Sequence, residues 1–366
     1  MSSSGELLFG EATAWGGRRS TYSTPQDVPP EDWFAGGGCA LRVYVSGRTL
    51  LARDMSEVTS ESIASPESLD DVARRELGET PAVKRTALEE LRQLISGAPS
   101  LNCPTDDDFL VKFLRARKYD TQSAFENIKK YFKVRRDRPE LFEELTPSSI
   151  PFDVVCRKHQ LLTVSRRTDP LGRMVLLMKI GSWNTEMCTL NDFFRVGIAL
   201  AECFLLRQDF QVRGIVVVID LKGLSVYHLP YYTPSVIRTL VSLVQNCLPL
   251  RLQKVYIINN PPIFDYLFAI AKTFLKAKLV KRIRLLGYNL TELHQLVPDD
   301  VISKEHEGTN ESFDYDQLER ELKTAENFFQ ALSSYGYRET LSTKRAPEPN
   351  GVLADEELSS EDYVHL

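Results

Sequence analysis

Gly214-Ile215-Val216-Val217-Val218-Ile219-Asp220 decides the fold. Its apolar residues do not alternate with polar ones, the pattern of a strand covered on both faces in a parallel sheet. Val255-Tyr256-Ile257-Ile258-Asn259 repeats the pattern, and Arg284-Leu285-Leu286 reads as a further strand. The text between them is helical. Asn191 caps a helix running through Phe194, Ile198, Ala201 and Leu205; Pro234-Ser235 opens one through Ile237, Leu240, Val241 and Val244; Pro261-Pro262 opens a third, and Thr291 starts a short one. Leu161 to Val164 and Met174 to Met178 flank the turn signal Thr168-Asp169-Pro170-Leu171-Gly172, which predicts a hairpin. Strands alternating with helices predict an α/β domain with a mostly parallel sheet over residues 151–312.

Upstream, residues 76–150 read as a small all-α domain. Leu88, Leu91, Leu94 and Ile95 form one stripe; Asp106, Asp107 and Asp108 supply caps for a second helix; Asp120 or Thr121 restarts a third, which Pro139 ends. Residues 1–75, with Gly36-Gly37-Gly38, Pro29-Pro30 and Ser60-Glu61-Ser62, hold no sustained period beyond the short alternation Leu41 to Val45, and are expected to be a disordered leader. Residues 313–366 are expected to close with a helix and, after about Leu332, a disordered acidic tail.

Hydrophobic residues at 43% and charged residues at 26% make a globular core affordable, and the formal charge of −5 excludes a general polyanion binder, so any basic site is local. Six scattered cysteines without a CxxC pair read as free thiols of a reducing compartment. The beginning of the chain lacks a secretory pattern, and no uncharged apolar run approaches the roughly 20 residues that span a bilayer. The expectation is a soluble, cytoplasmic monomer whose membrane contact is peripheral.

Nucleotide and hydrolase chemistry has no motif here. Asp220-Leu221-Lys222-Gly223-Leu224-Ser225 is neither GxGxxG nor a P-loop, and GxSxG is absent. The five histidines stand alone, so neither a metal nor a cofactor is expected. Asp220, at a strand's C-terminal end, is either a catalytic group or, the preferred reading, a hydrogen-bond anchor for the following turn.

The apolar segment Ile263 to Ala271 is followed by six basic residues and no acid between Lys272 and Arg284. One straight helix cannot gather these apolar residues on one face, so a kink is expected near Lys276-Ala277. Lys278, Lys281 and Arg282 share a face at i, i+3 and i+4. That face is either plain solvated surface or an attachment point for anionic headgroups. Nucleic acid is not expected, because the patch is small and lacks interleaved aromatics.

Several blocks in register carry a resemblance. Asp107-Asp108-Phe109-Leu110-Val111-Lys112-Phe113-Leu114-Arg115-Ala116-Arg117-Lys118-Tyr119-Asp120, then Asp220 to Ser225, Leu248-Pro249-Leu250-Arg251, Ile257-Ile258-Asn259-Asn260-Pro261-Pro262-Ile263-Phe264 and Lys272-Thr273-Phe274-Leu275 are similar, in order over residues 80–315, to blocks of the CRAL-TRIO lipid-binding family, in its α-tocopherol transfer, clavesin and retinaldehyde-binding branch. The resemblance implies a three-layer α/β domain enclosing a lipid, with a gate around Phe264 to Leu275. It implies Phe194, Ile198, Ala201, Ile219, Val244 and Ile257 as pocket walls and Phe264, Phe268 and Leu275 as gate residues, each of which could equally be ordinary core. It implies that Arg117, Arg251, Lys278 and Arg282 hold a phosphatidylinositol bisphosphate headgroup beside the gate. The sequence departs from the pattern at Gly197 and Ala201, where tocopherol-binding members carry serines, at Thr273 in place of a gate proline, and at Glu305-His306-Glu307-Gly308 in place of E-Y-G-G. The expected function is therefore non-enzymatic transfer of a tocopherol-like, retinoid or other isoprenoid lipid at endosomal or other phosphoinositide-bearing membranes. The alternatives are a phosphoinositide-sensing trafficking or signalling adaptor without net transfer, and a small-molecule enzyme hinging on Asp220.

Overall fold

Five strands lie side by side in chain order: Leu162–Val164, Met174–Lys179, Ile215–Asp220, Leu252–Ile258 and Ile283–Gly287. The first pair is the antiparallel hairpin, and the other three pairings are parallel. This computed structural model describes residues 67–310 and 313–337, together with a short antiparallel pair, Tyr44–Val45 with Arg48–Thr49, in a separate unit Met1–Ser65. The rest of the expected leader and the tail beyond residue 337 lie outside the described residues.

The central strand does not alternate because each of its faces meets a different apolar layer. Val216 and Val218 pack with Tyr256, Ile258, Leu293, Val297 and Val301 on one side. Ile215 and Val217, with Ile219 partly buried beside them, face Val255, Ile257 and the helices Leu190–Phe204, Pro234–Ser242 and Ile263–Phe274 on the other. Gly214 makes the strand's entry possible. Its φ of 79° is left-handed, and a Cβ there would lie 2.2 Å from the Arg251 carbonyl oxygen.

Asp220 ends the strand as an anchor. Its carboxylate accepts from the Lys222 backbone N–H at 2.8 Å, from Asn259 Nδ2 at 2.8 Å and from His306 Nε2 at 2.7 Å. His306 Nδ1 lies 2.8 Å from the Ser303 hydroxyl, within hydrogen-bond reach. The order Ser303, His306, Asp220 resembles a catalytic relay, yet His306 and Asp220 are buried and the adjoining space is about 20 Å³, room for one water. The histidine of the divergent Glu305-His306-Glu307-Gly308 block is thus a structural partner of the strand end.

The N-terminal helices Pro81–Ser96, Asp107–Ala116 and Thr121–Asp137 enclose an aromatic core of Phe109, Phe113, Tyr131 and Phe132. Asp106 and Asp120 are the caps of the latter two. Asn127 docks this layer on the sheet domain by donating to the carbonyls of Asn246 and Cys247 at 2.6 and 2.8 Å. Those carbonyls are free because the π-type turn Leu243–Cys247 ends there and Leu248 is extended. The Arg135–Glu202 ion pair adds a second tie.

Four expectations are corrected. A helix, Leu69–Leu77, begins inside the stretch 1–75 read as leader; Ser68 caps it and Gly78 ends it. Thr189, not Asn191, caps the helix Leu190–Phe204, since its hydroxyl accepts from the Asp192 N–H at 3.0 Å while Asp192 accepts from Thr189 in return. The expected kink near Lys276 is a full break: the helix ends at Phe274, Leu275 and Lys276 are extended, and Ala277–Val280 forms a new turn. Order also persists past Leu332, because Gly336–Tyr337 pairs with Leu101–Asn102.

Burial pushes the Asp220 carboxyl up, but hydrogen bonds from His306, Asn259 and Lys222 more than offset it and hold it below its ordinary 3.8. Its stabilisation is therefore complete above pH 3.8 and lost as pH falls through the lowered value. Asp220→Asn, which turns an N–H toward a donor, should cost about 2–3 kcal/mol at neutral pH. Urea unfolding should show that gap narrowing once the pH falls below 3.8.

Candidate functional site

Between the sheet and its covering helices the protein's own side chains leave a cavity of about 390 Å³. The helix Leu190–Phe204 presents Phe194, Gly197, Ile198 and Ala201 to it, a spacing of three and four residues that keeps one face inward. The sheet contributes Val217, Ile219, Val255 and Ile257, the helix Pro234–Ser242 contributes Leu240 and Val241, and the π-type turn that follows it contributes Val244. Phe264, Leu267, Phe268, Ala271 and Leu275 close it, with the Phe264 and Phe268 rings stacked 5.3 Å apart. All nine residues expected to form pocket and gate line this space. Among the described residues Tyr232 is the one lining residue whose side chain carries an oxygen or nitrogen, and its buried hydroxyl has no hydrogen-bond partner among them.

The closing helix Ile263–Phe274 is loosely held. Only Leu267 of its twelve residues is buried, and Tyr266 is 61% exposed. Thr273, standing where the resemblance implied a proline, donates to the Ile270 carbonyl at 2.7 Å, and the helix runs on unbroken to Phe274. At the break that follows, Gln245 meets both severed ends. Its Nε2 donates to the Phe274 carbonyl at 2.9 Å, and its Oε1 accepts from the Lys276 N–H at 3.2 Å.

A second, polar cleft of about 460 Å³ adjoins the cavity, and Val244, Leu250, Leu252 and Leu279 line both. Arg117, Arg251, Lys278 and Arg282 all line this cleft, although they come from three separate parts of the chain. The break at Leu275–Lys276 turns Lys278 and Arg282 into it, whereas Lys281 of the same expected face is not among its lining residues. Arg117 reaches the cleft because the N-terminal layer docks on the π-type turn, and its Nη2 donates to the Gln245 carbonyl at 3.3 Å.

Burial pushes the Lys278 ammonium below its ordinary range, and Arg282, Lys118, Arg117 and Arg251 push it further in the same direction. Arg282 is lowered by burial and by Arg251. Arg117 is lowered by burial. The cleft thus concentrates mutually repelling cations in partly desolvated surroundings, the condition that favours an incoming polyanion. Among the described residues Arg117, Lys278 and Arg282 have no carboxylate partner, while Arg251 pairs with Glu76 at 2.7 Å and keeps a buried Nη1 without a partner.

Reading the sequence missed Lys118, Gln245 and Glu76. Lys118 follows Arg117 directly and signalled itself by charge alone. Gln245 carries no pattern, and Glu76 sat just beyond a stretch read as lacking structure.

The CRAL/TRIO domain family matches residues 158–308, and the CRAL/TRIO N-terminal domain family matches residues 84–130. A mouse protein named alpha-tocopherol transfer protein-like is 35% identical over 244 residues, 66% of this chain and 70% of that one. This chain belongs to the CRAL/TRIO family. Human clavesin-2 is 30% identical to this CRAL/TRIO chain over 259 residues, covering 70% of it and 79% of the clavesin. Among solved structures, Sfh5 aligns at 16% identity with a TM-score of 0.47, over 66% of this chain and 92% of that one.

Gly197 of this CRAL/TRIO pocket offers a test of the unfilled space. A Cβ there would meet only Leu162 Cδ1, at an ordinary 3.7 Å. Gly197→Ala should therefore stabilise the fold by about 0.5–1 kcal/mol through lower chain entropy, read as a higher urea midpoint.

Proposed function

We propose that this CRAL/TRIO chain encloses one hydrophobic lipid in the apolar cavity and exchanges it at membranes bearing phosphatidylinositol bisphosphate. One observation carries the reading: a hydrocarbon-lined cavity and a cleft holding Arg117, Arg251, Lys278 and Arg282 share the wall residues Val244, Leu250, Leu252 and Leu279. The name of one relative, alpha-tocopherol transfer protein-like, supports the same class of cargo.

The chemistry is exchange without covalent steps. Burying ~400 Å² of apolar ligand surface at ~25 cal/mol per Å² stabilises the complex by roughly 10 kcal/mol before ordering costs, so escape into water is slow. Release requires the cover Ile263–Phe274 to move. A headgroup promotes that only by binding the open form more tightly than the closed one. The cargo is an isoprenoid, a retinoid or another lipid that is hydrocarbon over most of its surface, because the lining offers it one side-chain hydroxyl at most. Membrane contact is peripheral: among the described residues no helix is long and apolar enough to cross a bilayer.

Native mass spectrometry of the purified protein should find one extractable apolar molecule per chain, and a consistently empty protein would overturn the carrier role. Transfer between donor and acceptor vesicles separates a carrier from an adaptor, which would bind the vesicles and move nothing. Lys278→Ala with Arg282→Ala should weaken binding to phosphatidylinositol bisphosphate vesicles about 30-fold, at roughly 1 kcal/mol per cation, while leaving lipid occupancy unchanged. Unchanged vesicle binding would remove the headgroup site.

A further inference from the structure

The helix Leu69–Leu77 lies outside both family-matched segments, yet its Glu76, which does not itself line the basic cleft, pairs with Arg251, which does. Glu76 Oε2 accepts from Arg251 Nη2 at 2.7 Å, so one of the four cations is already engaged by an anion from the chain itself. Arg251 Nη1 remains buried and unpartnered beside it, an arginine half satisfied by a carboxylate. Glu76 is the more accessible partner, its side chain 31% exposed against 10% for Arg251.

Leu69, Val72, Ala73 and Leu77 rest on Val212 and Tyr119 in a cluster separate from the main core. Beyond that face, the Arg213 guanidinium donates to the Glu67 carbonyl at 2.8 Å. Just past the helix the chain is fixed. Glu79 is gripped by two bonds from Arg115, at 2.7 and 2.9 Å, and Arg115 is held in turn by Gln211 at 2.7 Å. Between that face and the fixed point stands Gly78, at φ 70°, with no heavy atom within 4 Å of the position a Cβ would take. A rotation there moves Glu76 and leaves the Arg115 grip on the Glu79 carboxylate in place, at the cost of the bonds from the Gly78 and Glu79 N–H groups to the Arg74 and Ala73 carbonyls at 3.1 and 3.2 Å.

We propose that the helix Leu69–Leu77 is an acidic latch on the cleft: Glu76 occupies Arg251 in place of a phosphate, and a phosphate-bearing headgroup displaces it and swings the helix away at Gly78. The latch rests on the headgroup reading of the cleft. It makes occupation of the cleft competitive with a contact inside the same chain.

The test uses the full chain, vesicles of phosphatidylcholine with phosphatidylinositol bisphosphate, and soluble inositol trisphosphate. Glu76→Gln keeps the side chain's size and removes its charge. It should bind both probes about three- to fivefold more tightly, the scale of a partly exposed ion pair. The gain should vanish in a chain that also carries Arg251→Ala. Backbone amides of residues 69–77 should exchange hydrogen faster in the unaltered protein once vesicles are added. If the unaltered protein binds and Glu76→Gln binds no better, or if those amides stay equally protected, the latch is overturned and the headgroup site stands. A gain on vesicles without one for the soluble headgroup also overturns it, because the helix would then obstruct the bilayer and not the phosphate. If neither protein binds either probe, the headgroup reading falls and takes the latch with it.

Discussion

A sheet face that its own side chains do not fill governs this molecule. Interiors normally pack to the density of organic crystals, and empty space forfeits dispersion contacts on every wall that borders it. Here Val217, Ile219, Val255 and Ile257 project toward helices that stand off from them around about 390 Å³. The other face of the same sheet is closed by Leu293, Val297, Val301 and Ile302 in the usual way. The loose cover, the apolar lining and the wall shared with a charged cleft all follow from that asymmetry. A protein that keeps such a space open gives up stability for a site.

Charge is arranged with the same disregard for stability. Arg117, Arg251, Lys278 and Arg282 come from the N-terminal helices, the entry to one strand and the segment after the cover, and burial holds Lys278 and Arg282 among like charges. No regular element demands this convergence. Asn127, the carbonyls freed at Leu243–Cys247 and the chain break at Leu275–Lys276 bring it about.

The sequence revealed the elements better than their joints. Uninterrupted apolar runs over residues 215–219 and 255–258 announce strands covered on both faces, because each residue there meets hydrocarbon whichever way it points. Helix-period spacing marked Phe194, Ile198 and Ala201 as one face, although spacing cannot distinguish a face that lines a cavity from one that is packed solid. Arg117 could be joined to the distant cations only through resemblance, since nothing local says where a side chain's neighbours from 130 residues away will lie. The capping box at Thr189, the π-type turn and the helix at Leu69–Leu77 escaped notice for a common reason. Each is decided by a few hydrogen bonds or one small contact face, and the one periodic trace, Leu69, Val72, Ala73 and Leu77 at i, i+3, i+4 and i+8, spans little more than two turns.

Gln245 gives the cover an unusual fastening. One amide satisfies both backbone groups where the helix Ile263–Phe274 is severed from the next turn, so the hinge end is held by exchangeable polar bonds that water can replace at little net cost. What resists opening is then the hydrophobic contact beneath Phe264, Phe268 and Leu275. An occupied interior supplies that contact and a vacant one does not. On the proposed carrier reading the tightness of the cover is set from within: cargo acts as its own adhesive, and a chain without it is the one whose cover lifts most freely.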